Sequence, residues 1–147
     1  MASDIIVIER ELLKSEAFRE LNGTAKTVYF DFRMKVVGTH TKARQGRKKE
    51  FVILNNGEIE YSYSEAEKKG IQRSTFMRAI DTLIHNGLID CTQQGSGTRK
   101  GDKSKYGISE RWKNYGKLSF NAVVRKRDTR QGRGFAKGHK CYYKKQT

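Results

Sequence analysis

The sequence predicts an α+β domain over residues 1–112 and a basic C-terminal extension over 113–147. Three observations carry this. Apolar residues recur at helical spacing over 9–36 and 62–86, short strand-like runs are separated by glycine-bearing turns, and much of the positive charge lies outside both. A chain of 147 residues suffices for one cored domain. Its hydrophobic fraction of 35% is low and its charged fraction of 32% is high, so part of the chain is expected to lie outside any core.

Taken in order, residues 5–8 (Ile-Ile-Val-Ile) read as a short strand. Residues 9–21 read as one helix with Leu13, Ala17 and Leu21 inward, ended by Asn22-Gly23. Thr24 is the expected cap of the next helix, whose buried stripe is Val28, Tyr29, Phe32 and Val36. Residues 38–49 read as a loop carrying Lys42, Arg44, Arg47, Lys48 and Lys49 with no acid. Runs 51–54 and 58–61 flank Asn55-Asn56-Gly57, and Asn-Gly predicts a hairpin with a type I′ turn between them.

Ser62 and Glu65 stand at capping-box spacing, so each is expected to satisfy a backbone amide of a short helix ending near Lys69. Gly70-Ile71 makes a tight break. A longer helix is expected over 73–86 with Phe76, Ile80, Leu83 and Ile84 inward, and Gly87 ends it. Residues 88–92 and 106–109 read as strands joined by a glycine-rich loop, and 120–124 as one further strand. Residues 113–147 hold eleven Lys or Arg against Asp128 alone. That composition offers too little apolar surface to offset ordering entropy, so most of the extension is expected to be disordered when alone.

Segment 62–84 fits a helix-turn-helix. Ala66 is small where two helices must touch, Gly70 permits the turn, Ile71 plugs the corner and Phe76 anchors the second helix. The subsequent strand, basic glycine-rich loop and strand make a wing. In such a unit the second helix enters the major groove, led by its N-terminal residues. Here those are Gln72, Arg73, Ser74 and Thr75, with Arg78 one turn on. Arg78, Arg73 and Gln72 suit base edges, while Ser74 and Thr75 suit phosphates. Arg99, Lys100, Lys103 and Lys105 in the wing, and Arg44, Arg47, Lys48 and Lys49 in the 38–49 loop, are the expected phosphate contacts.

These residues resemble the winged helix-turn-helix proteins of plasmid and phage replication initiators and related small bacterial regulators. The likeness runs from Asn56-Gly57-Glu58-Ile59 through Ser64-Glu65-Ala66 and Gly70-Ile71-Gln72-Arg73-Ser74-Thr75-Phe76-Met77-Arg78-Ala79-Ile80 to Asn86-Gly87-Leu88-Ile89-Asp90. It covers about a third of the chain closely. The resemblance implies sequence-specific binding of double-stranded DNA, often as a dimer, in the control of transcription or replication. Such initiators commonly carry two winged-helix units, and this chain has room for one, which favours a regulator or accessory factor. A homodimer through the N-terminal helices stays open.

The balance of charge argues the same way. Lys and Arg total 31 against 16 acids, a formal net charge of +15, which attracts polyanions. No run is long enough to cross a membrane or act as a secretory signal, and Cys91 and Cys141 form no disulfide framework, so a cytoplasmic, nucleoid-associated location is expected. His139 and Cys141 lack further ligands at zinc spacing, so no metal or other cofactor is expected. Glu58 and Glu60 share a strand face, but no third carboxylate with a placed lysine accompanies them, and no enzyme activity is expected. The competing class is a structural RNA-binding protein of ribosomal type, with Tyr106, Trp112, Tyr115, Phe120, Tyr142 and Tyr143 stacking on bases.

Overall fold

The computed structural model describes residues 5–42, 45–95 and 103–125. It is an α+β fold. Helices α1 (Arg10–Lys14), α2 (Glu16–Arg19) and α3 (Gly23–Lys35) come first, then a two-stranded antiparallel sheet of β1 (Gly38–His40) and β2 (Phe51–Ile53). Next in the chain are strand β3 (Ile59–Glu60), helices α4 (Tyr63–Lys68) and α5 (Arg73–His85), and strands β4 (Ile89–Gln93) and β5 (Lys105–Ile108), closed by a 3-10 helix at Arg111–Asn114. The second sheet is antiparallel with order β3-β5-β4. This order of elements is compatible with a winged helix. No helix among the described residues is long and apolar enough to cross a membrane.

Helix α5 packs on α3, and both rest on the three-stranded sheet. Phe32 of α3 meets Tyr61 and Tyr106 edge-on at 5.3 and 5.2 Å between ring centroids, and Tyr61 meets Phe76 at 4.7 Å. Phe32, Phe76, Ile80, Leu83 and Ile84 are fully buried. Burial of each such side chain stabilises the fold by about 1.5–3 kcal/mol. The inward stripe of α5 is the one its periodicity predicts.

Both ends of the α4–turn–α5 corner close in the same way. After α4 the amide of Ile71 donates to the Ala66 carbonyl at 2.9 Å and that of Gly70 to Glu67 at 3.0 Å, with Gly70 at φ +83°. After α5, Leu88 donates to Leu83 at 2.9 Å and Gly87 to Ile84 at 3.1 Å, with Gly87 also at +83°. Each is a Schellman closure, which satisfies two orphan carbonyls and needs a left-handed residue at C′.

Several local expectations are corrected by tertiary context. Residues 5–8 pair with no strand and run as irregular chain. The expected helix over 9–21 is two helices, because Ser15 is extended at ψ 148°; its hydroxyl donates to Leu12 and accepts the amide of Phe18, so the side chain replaces a helical bond. The inward residues become Leu12, Ala17, Phe18 and Leu21, while Leu13 is exposed. Asn22, not Thr24, caps α3 by accepting from Ala25 at 2.8 Å, and Gly23 starts that helix instead of ending the previous one.

The Asn-Gly hairpin between 51–54 and 58–61 does not form either. Strand β2 pairs with β1 from within the expected loop, and β3 pairs with β5. Of Asn55, Asn56 and Gly57, Gly57 alone has positive φ, so the pair of left-handed residues that a type I′ turn needs is absent there. Asn55 instead accepts from the Val37 amide and donates to the Lys35 carbonyl, and Asn56 bonds both backbone groups of Ile108. Both side chains thus bridge elements distant in sequence. The expected strand at 120–124 is irregular as well; Phe120 lies edge-on to Tyr115 at 5.2 Å.

Asp31 is a buried carboxylate that no pattern flagged. The Tyr61 hydroxyl donates to it at 2.7 Å and Lys69 pairs with it at 3.3 Å, tying α3 to β3 and to the end of α4. Burial first, and then this bond, push the Tyr61 hydroxyl well above the usual tyrosine range. Burial also pushes Tyr29 up to about 12, with nearby Arg33 opposing and Glu9 reinforcing. A raised folded-state pKa means that the unfolded chain ionises first. Stability should therefore be full below about pH 10 and fall through pH 10–12, by ~1.4 kcal/mol per pH unit for Tyr29. Urea midpoints measured from pH 9 to 12 should show this decline, and Tyr29→Phe should flatten it. A midpoint that stays level to pH 12 contradicts the assignment.

Candidate nucleic-acid interface

The exposed side of α5 is set by its docking. With Phe76, Ala79, Ile80, Leu83 and Ile84 buried, Ser74, Arg78, Asp81 and His85 fall at i, i+4, i+7 and i+11 on one outward stripe, flanked by Arg73 and Met77. Gln72 is the N-cap, and it makes no capping bond with its side chain. In contrast, Ser15, Asn22 and Ser62 cap α2, α3 and α4. The first turn of α5 holds no acid, so its free amides and the positive end of the helix dipole face outward beside Arg73.

Each predicted residue has a definite setting. Arg73 lies over the Tyr63 ring at 4.7 Å, which steadies the guanidinium at the mouth of the α4–α5 corner. Ser74 is exposed and Thr75 half-buried. Arg78 is exposed and has no side-chain hydrogen bond or ion pair among the described residues. Gln72, Arg73, Ser74, Thr75 and Arg78 thus share one helix end.

Lys103 and Lys105, expected in the wing, are each paired with an acid. Lys105 pairs with Glu58 at 2.6 Å and Lys103 with Glu60 at 3.7 Å, both acids standing on or beside β3. The bond to Glu58 raises the Lys105 pKa and keeps it charged. These are exposed pairs of small net strength, so phosphate can compete for the lysines. Arg47, Lys48 and Lys49 are exposed in the connection from β1 to β2 and make no ion pair among the described residues. Arg44, Arg99 and Lys100 lie outside the described residues.

At the expected capping box, Glu65 has a second partner besides Ser62. Ser62 accepts from the Glu65 amide at 3.3 Å, and the Glu65 carboxylate also meets Lys35 at 2.5 Å. Burial pushes Glu65 up, but the bond to Lys35 and its charge, the backbone of Ser62 and the charge of Lys69 together hold the carboxyl below its usual range. The pair joins the end of α3 to the start of α4, so it fixes the corner on the body.

Three positioning residues escaped sequence reasoning. Asn86 donates from its buried amide to the Ala17 carbonyl at 2.9 Å, fastening the end of α5 to α2. Arg111 donates to the Ile84 carbonyl at 2.8 Å and to Asp90 at 2.9 Å, clamping the same helix end to β4. Arg125 pairs with Asp81 on the outward stripe of α5 at 2.9 Å. None has a local signal, because each partner is distant in sequence.

Comparison with known proteins adds no identification: no family model, no curated protein and no solved structure matches this chain.

Proposed function

We propose that this chain is a winged-helix protein that binds double-stranded DNA sequence-specifically, with α5 in the major groove, β4–β5 as the wing and the process regulated being transcription or replication. The observation that carries the reading is the outward end of α5. An uncapped N-terminus, Gln72, Arg73, Ser74 and Arg78 face away from a core that holds the helix by its other side. Helix N-termini accept phosphate, and arginine and glutamine pair bidentately with guanine and adenine. The net charge of +15 supplies attraction to any nucleic acid, and the base-reading set supplies preference.

Selection from random duplex DNA beside a random RNA pool tests the reading. Enrichment of a duplex motif is expected; enrichment of RNA alone would replace this function with structural RNA binding. Arg78→Ala should reduce preference for the enriched motif over random duplex by about 1–3 kcal/mol. Competition binding measures this, and an equal loss on both DNAs removes Arg78 from base readout.

A further inference from the structure

A cavity of about 570 Å³ lies where residues 7–9, α1, α3, β2 and the chain after β5 meet. That volume falls in the range of small-molecule sites. Leu12, Tyr29 and Trp112 line it and are buried, whereas Val7, Phe51 and Val52 line it and stay 53%, 39% and 42% exposed. The protein therefore covers only part of this apolar lining, and a ligand would bury more of it. Arg33, Glu9 and Glu50 share the same cavity. Nη2 of Arg33 donates to the Val7 carbonyl, but its Nε is buried with no acceptor, the one such side-chain nitrogen or oxygen among the described residues. A buried donor left unmet is destabilising, and it points to an acceptor supplied from outside the chain. Glu9 and Glu50 make no ion pair and no side-chain hydrogen bond among the described residues, although the chain carries 31 Lys and Arg. Glu110, also in the lining, is paired with Lys113 at 3.4 Å.

We infer that this cavity binds a free amino acid with an apolar side chain, its carboxylate on Arg33, its ammonium toward Glu9 and Glu50, and its side chain against Phe51, Val52 and Trp112. The charges select this class. A simple carboxylate would satisfy the Arg33 donor but meet repulsion from Glu9 and Glu50, and a simple amine would leave that donor unmet. A molecule bearing both groups satisfies each side, through charge-assisted hydrogen bonds in a part-desolvated setting. The site is separate from α5 and stands whether or not the chain binds DNA.

Calorimetric titration of the full-length chain with L-phenylalanine and L-leucine tests this, beside 3-phenylpropionate, which lacks the amine, and phenethylamine, which lacks the carboxylate. Saturable binding of at least one amino acid at a single site is expected, with both phenyl analogues about tenfold weaker than phenylalanine or worse. Arg33→Lys keeps the charge and removes the Nε donor, so it should weaken phenylalanine and 3-phenylpropionate together and leave phenethylamine unchanged. Replacing both Glu9 and Glu50 by Gln should weaken phenylalanine and spare 3-phenylpropionate. Val52→Trp fills the exposed side of the cavity without touching any charge, and it should abolish binding even if Arg33→Lys perturbs the fold. Unfolding midpoints report whether each variant is folded. Failure of both amino acids to bind the unmodified chain overturns the inference. So does equal binding of all three phenyl compounds, which would make the cavity merely apolar. Tighter binding of 3-phenylpropionate than of phenylalanine overturns it as well, and would assign the cavity to simple carboxylates. Binding that survives Val52→Trp places the ligand elsewhere.

Discussion

Gly87→Ala should destabilise the protein by about 2–5 kcal/mol, the sum of left-handed strain and overpacking. The position has φ +83°, and an added Cβ would stand 2.7 Å from the Trp112 nitrogen and 2.8 Å from the Arg111 carbonyl carbon. Those atoms are backbone and cannot rotate away. The Gly87 carbonyl also accepts from the Trp112 amide at 3.1 Å, so any shift that relieves the contact breaks that bond. Gly70→Ala is the matched control. It has the same φ of +83° and no atom within 4 Å of the added Cβ, so only the strain of about 1–2 kcal/mol applies. Urea unfolding of both variants measures the difference. Equal losses would show that the crossing of Gly87 by the 3-10 helix is not tight. The consequence reaches function, because Gly87, Arg111 and Asn86 together hold the C-terminal end of the proposed recognition helix.

The second large effect is on binding. On the proposed function, and with 6–10 phosphates neutralised, affinity for duplex DNA should fall by about 10³–10⁵ between 50 and 200 mM salt. Replacing Arg47, Lys48 and Lys49 with Gln should lower the slope of log affinity against log salt by about 3 if all three touch phosphate. Titrations at four or more salt concentrations give the slope directly. An unchanged slope would assign the β1–β2 connection to the solvated surface. Lys103 and Lys105 should contribute less than their charge implies, since they must first leave Glu60 and Glu58.

The α4–turn–α5 corner was legible in the sequence because its determinants are local. Ser62 caps α4, Gly70 and Gly87 take the left-handed positions, and Phe76, Ile80, Leu83 and Ile84 repeat at helical spacing. Strands β4 and β5 were legible from apolar runs on either side of a glycine-rich loop. The same reasoning failed where a local signal had a distant competitor. Asn-Gly at 56–57 promised a hairpin, but the Asn56 side chain bonds Ile108 and Asn55 bonds the end of α3. Ser15 broke a helix whose apolar period ran through it, because burying Leu12 and Phe18 requires a change of direction there.

The candidate interface divides along the same line. Which residues α5 turns outward is set by helical period alone, since burying one stripe of a helix exposes the opposite one. That the chain is polycationic is set by composition. Only the tertiary structure decided which cations are paired: Arg78 stands free among the described residues, Lys103 and Lys105 face β3, and Arg125 returns to Asp81. The physical reason is range. Caps, turns and periodic stripes act across a few residues of chain, so sequence determined α5 and its corner with α4. Ion pairs and side-chain bridges join groups separated by tens of residues, so the sheet pairing, the clamp at the end of α5 and the path of residues 113–125 became definite only in the fold.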